Sequence, residues 1–165
     1  MSPFERLRGG WSPAAALLLG LLVIDSAFVL LHVSYDPQSG GFFGDRRVLV
    51  SEDVGYAEIF GYLKVIGAAV LLLILYRRRA APVYLAWTVV LLAITADDAL
   101  SLHEKAGAQI DSFLGRSQET GLLADIGEPI LWAVAGLGLL AGTWLAHRRS
   151  EPQAQADSRW LFLLL

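Results

Sequence analysis

Residues Pro82–His103 read PVYLAWTVVLLAITADDALSLH, an unbroken apolar run that turns acidic only near its end. Crossing about 30 Å of hydrocarbon takes roughly 20 apolar residues in helix, so this stretch has the length of a membrane span. Three more runs meet the same criterion: Ser12–Val33, Tyr56–Tyr76 and Gly121–Ala146. The reading is an all-α, polytopic membrane protein whose four transmembrane helices form a bundle within residues 1–150.

Composition agrees. The chain has 165 residues, 55% of them hydrophobic and only 18% charged, with a mean hydropathy of +0.52. A soluble domain is nearer 45–50% apolar. The net charge of −3 gives no electrostatic reason to bind nucleic acid. Without cysteine there are no disulfides, thiolate metal sites or thiol redox chemistry. Gly9-Gly10 and Gly40-Gly41 lack the strand-turn-helix setting that a phosphate loop requires.

Basic residues give the orientation, because they gather on cytoplasmic loops. Arg6, Arg8, Arg77, Arg78, Arg79, Arg148 and Arg149 fall on one side, against Arg46, Arg47, Lys105 and Arg116 on the other. Both termini are therefore expected in the cytoplasm, and the protein in the cell membrane, the inner membrane in a bacterium. Arg6 and Arg8 precede the first run as in a secretory signal, but the run is longer than a signal core and no small-residue cleavage site follows, so it reads as a retained anchor. Trp11, Tyr76, Tyr84, Trp87 and Trp144 would lie near the cytoplasmic interface. Residues 104–120 are expected to include a short surface helix with Ile110, Phe113 and Leu114 on one side. Beyond the polar linker Glu151–Asp157, the apolar run Trp160–Leu165 is too short to span. It either dips into the interface or begins a truncated fifth helix.

Ionisable groups inside the spans carry the functional reading. At 1.5 Å per residue, Asp25, Lys64, Asp97 and Glu128 all lie about 9–12 Å below the outer ends of their helices. Lys64 shares a face with the small residues Ala57, Gly61 and Ala68, points into the bundle, and finds a level-matched ion-pair partner in Asp25. Asp97, Asp98, Asp125 and Glu128 remain. Unpaired carboxylates in low dielectric must be protonated, hydrated or bound to a cation.

On a continuous helix Asp97, Ser101 and Glu104 share one face, with Asp98 turned about 100° away. Asp125 and Glu128 are i, i+3, and Pro129 frees the carbonyl of Asp125 beside them. Asp97, Glu104, Asp125 and Glu128 are thus the expected ligands of a divalent cation, Mg²⁺, Mn²⁺, Ca²⁺ or iron. Asp98 or His103 would serve as acid or base toward a lipid-like substrate, or one arriving from the outer face. No catalytic signature such as H-E-x-x-H or G-x-S-x-G is present. The competing expectation is a non-enzymatic accessory or structural subunit, whose acids hold helices together or relay protons. The expected partners are the lipid bilayer and either further copies, through Gly138-x-x-x-Gly142, or a larger membrane complex.

Overall fold

The computed structural model describes residues 12–115 and 126–164. Among them are six α-helices and no strand: α1 Pro13–Val33, α2 Tyr56–Arg79, α3 Pro82–Leu100, α4 Leu102–Phe113, α5 Gly127–Arg148 and α6 Pro152–Leu164, with two 3-10 turns at Phe42–Gly44 and Arg46–Val48. Helices α1, α2, α3 and α5 are long and apolar enough to cross a membrane. Each carries exposed apolar side chains: Leu30 is 68% exposed on α1 and Leu137 68% on α5. Trp11 and the basic residues Arg6, Arg8 and Arg116 lie outside the described residues.

The chain divides into two compact units, Met1–Gly61 and Tyr62–Leu165. In the first, α1 begins as its sequence dictates. The Ser12 side chain accepts from the Ala15 N–H at 3.1 Å, and Pro13 occupies the first helical position. The segment after α1 is closely hydrogen-bonded. His32 Nδ1 accepts from the Val50 N–H at 3.2 Å, Asp36 Oδ1 from the Gln38 N–H, and Glu58 from the Val54 N–H. His32 is thereby a clasp for the loop.

Asp45 holds both the Arg47 N–H at 3.0 Å and the Tyr56 hydroxyl at 3.1 Å. Its carboxyl is lowered from the ordinary 3.8, chiefly by the Arg47 backbone bond; slight desolvation opposes this, and the Tyr56 hydroxyl and the Arg47 charge add to it. A lowered folded-state pKa stabilises the loop at pH values above the ordinary carboxylate range, and that contribution is lost as pH falls through the lowered value. Amide-exchange protection in residues 42–56, relative to the intrinsic rate, should therefore fall as pH drops below the ordinary carboxylate range. Asp45→Asn should flatten that acid dependence; an unchanged profile would contradict it.

The core of the second unit lies at the Pro82 end of α3. Val83, Tyr84, Trp87, Thr88 and Leu91 are buried against Ala69 and Leu72 of α2 and Ala154 of α6. Ala81 offers no side-chain cap to α3, and the Ser150 hydroxyl takes that role from the far end of α5, accepting from the Val83 N–H at 3.1 Å and donating to the Ala146 carbonyl at 2.8 Å. Gly138 and Gly142 have open space beside their Cα atoms, so no described part of the chain packs on them.

Two elements differ from the sequence expectation. The third span ends at Leu100 instead of His103, because Ser101 adopts the left-handed conformation (φ 47°, ψ 47°) and its N–H closes back on the Asp97 and Asp98 carbonyls. The chain then restarts as α4, on which Phe113 is 89% exposed. The supposed polar linker is also helical: α6 starts at Pro152, a residue preorganised for a first turn, and runs through the apolar tail. It docks on α3 through Tyr84 O–H to Asp157 Oδ2 at 2.6 Å and Trp87 Nε1–H to Ser158 Oγ at 2.9 Å.

Candidate functional site

The break at Ser101 builds the site. Along an unbroken helix, positions six apart stand about 120° apart around the axis, which would hold Asp97 and His103 on different faces. With the helix broken at Ser101 and restarted as α4, His103 Nδ1 instead lies 2.7 Å from Asp97 Oδ2. Both side chains are largely withdrawn from solvent, at 25% and 17% exposure. Trp132 of α5 stands beside the imidazole, its ring centroid 6.0 Å away and tilted by 42°. A carboxylate facing Nδ1 accepts a hydrogen bond from its N–H, which selects the Nδ1–H tautomer and orients the ring.

The neighbouring acid is turned away, as the helical spacing requires. Asp98 Oδ2 accepts from the Tyr62 hydroxyl of α2 at 3.0 Å. Lys105 Nζ donates to the Leu100 carbonyl at 2.7 Å, placing a cation at the exposed C-terminus of α3. Around the dyad, each polar group thus addresses a helix end or another helix.

α4 is held over this end by a contact with α5 that sequence reasoning missed. Asp111, buried at 7% exposure, accepts the Gly127 N–H at 2.9 Å through Oδ1. A carboxylate at a helix N-terminus is favoured both by the unsatisfied N–H groups and by the helix dipole. The approach is possible only between glycines: a Cβ on Gly107 would lie 2.5 Å from Glu128 Cγ and 2.9 Å from the Glu128 nitrogen. The signal available in the sequence was the pairing of Gly107 on α4 with Gly127 at the start of α5, but nothing local says that they meet.

Of the expected cation ligands, Asp125 lies outside the described residues. Glu104 is exposed on α4, and Glu128 is half-buried with its stem against Gly107. Among the described residues no group of three or more His, Cys, Asp or Glu side chains is arranged to hold a metal ion. Asp25 and Lys64 are each half-buried and belong to separate compact units. Of the two expected acid–base residues, His103 is joined to Asp97 and Asp98 to Tyr62.

No protein-family model matches this chain, and no curated protein or solved structure is significantly similar to it.

Proposed function

We propose that this chain is a small multi-pass membrane protein with both termini in the cytoplasm, and that Asp97 and His103 form a proton-binding site at its outer end. Four helices with exposed apolar flanks support the membrane setting, since such surfaces are not stable in water. The distribution of arginines supports the orientation, which puts Pro82 at the inner end of α3 and Leu100 at the outer end.

The observation that carries the reading is the 2.7 Å contact between His103 Nδ1 and Asp97 Oδ2. An imidazole can give and take a proton through its two ring nitrogens, and a carboxylate beside Nδ1 holds the ring in a fixed orientation for that exchange. The dyad sits at the end of a membrane-length helix, partly shielded and partly wet, so it can exchange protons with outer water. Ionisable groups in membrane helices are costly, pair with one another, and commonly mark ion pathways and proton relays. A divalent cation at Asp97, Glu104, Asp125 and Glu128 is a separate proposal, and Asp125 lies outside the described residues.

The test is proton movement into proteoliposomes under an imposed pH gradient, read by a trapped pH-sensitive dye. Wild-type protein should exceed protein-free vesicles, and His103→Gln and Asp97→Asn should both fall to the vesicle background while still inserting. Wild-type flux at background, or variants as fast as wild type, would remove the proposal.

A second reading has its own support. Asp111 and Asp98 act as helix-to-helix ties, which is what an accessory or structural subunit of a larger membrane complex would use its acids for. Loss of assembly, without loss of flux, in Asp111→Asn would favour it.

A further inference from the structure

Helices α3, α5 and α6 enclose a cleft of about 840 Å³ in the second unit. It runs along α5 from Trp132 to His147 and along α3 from Ile94 to Trp87. Fifteen residues of α5 rise about 22 Å, enough for one leaflet's hydrocarbon, about half of a 30 Å core, together with a headgroup. The volume falls within the usual range for sites that bind small molecules.

The two ends of the cleft differ in character. Trp132, Gly136 and Ile94 give one part an apolar lining, whereas the basic residues in the lining are His147, at the far end of α5, and Arg159, next to the Ser158 that bonds Trp87. Arg148 adds charge at the same end, its guanidinium 4.9 Å from the Trp144 ring. Asp157, the acid nearest to Arg159 in sequence, already accepts from Tyr84 and from Gln153. A basic mouth on an apolar slot, on the cytoplasmic side of a membrane helix set, is the arrangement that recognises anionic lipid headgroups.

We infer that this cleft binds one anionic phospholipid of the cytoplasmic leaflet, with an acyl chain along Gly136 and the phosphate at Arg159 and His147. The inference rests on the membrane placement proposed above and is independent of the proton site. Gly136 is its most specific element. It lines the cleft, and a Cβ added there would meet no atom within 4 Å, so a side chain at this position starts into the slot from open space.

The experiment is native mass spectrometry of detergent-purified protein with equal phosphatidylglycerol and phosphatidylcholine. Wild type should retain phosphatidylglycerol over phosphatidylcholine by about fivefold, the effect of one well-placed basic residue. Gly136→Phe should lose the retained lipid, and Gly136→Ala should keep it. The double variant Arg159→Gln, His147→Gln, which alters only groups at the mouth, should retain both lipids equally. Equal retention by wild type, or retention unaffected by Gly136→Phe, would mean a loose lipid annulus and would overturn the inference. So would a dimer that Gly136→Phe dissociates, since a second copy would then fill the slot. Carbonate extraction of the protein from membranes would remove the membrane reading itself, whereas a protein that stays in the membrane without lipid preference removes this inference alone.

Discussion

Gly127→Ala should prevent α4 from seating on α5. The new methyl would lie 2.7 Å from the Gly107 carbonyl carbon and 2.9 Å from Asp111 Oδ2, and the first of these is backbone that cannot rotate aside. Either α5 moves outward, losing the Asp111 bond to its first N–H, or α4 lifts from the site. Overpacking of this kind costs about 1–3 kcal/mol, and loss of the buried carboxylate's partner adds about 1–3 kcal/mol. The variant should show a lowered thermal midpoint in detergent and exposure of α4 to protease. Asp111→Asn, which keeps an acceptor but removes the charge, should lose only about 1 kcal/mol. A Gly127→Ala protein as stable as wild type would mean that the two helices do not meet as described.

Trp87→Ala should damage the opposite end of the second unit by a comparable amount. The indole is only 4% exposed and donates to Ser158, so its removal leaves a cavity among Leu91, Ala69 and Ala154 and takes away the bond that ties α6 to α3. Truncations of this size cost about 3–5 kcal/mol. Trp87→Phe fills most of the space and should lose only about 1 kcal/mol, the worth of the missing hydrogen bond. Rapid proteolysis within residues 152–164 of the alanine variant, and slow proteolysis of the phenylalanine variant, would separate loss of packing from loss of the bond.

The four long apolar helices were legible because their signals are local: an apolar length and a starting proline, as at Pro13 and Pro82. Asp97 was legible as an acid set in an apolar run for the same reason. Its partner was not. Treating Pro82–His103 as one helix aligned Asp97 with Glu104, and a single left-handed residue, Ser101, replaced that alignment with His103. Serine carries no strong signal for such a turn, since its side chain allows both helix and break. Asp111 and Gly127 escaped because their contact is tertiary, between residues 16 apart in sequence. α6 escaped because Gln153, Gln155 and Asp157 resemble a linker until Ala154 and Ser158 are seen buried against α3. Pro152 was the one local hint.

Asp97 and His103 form one hydrogen-bonded dyad, and nitrogen-15 NMR of histidine-labelled protein in lipid bilayers reads it directly. His103, assigned by its loss in His103→Gln, should carry its proton on Nδ1 when neutral and show a through-space correlation to the Asp97 carboxyl carbon. His32 provides the contrast within the same spectrum, because its Nδ1 accepts from Val50 and its proton belongs on Nε2. An Nε2–H tautomer at His103 with no correlation to Asp97 would contradict the account, and with it the proton-binding site.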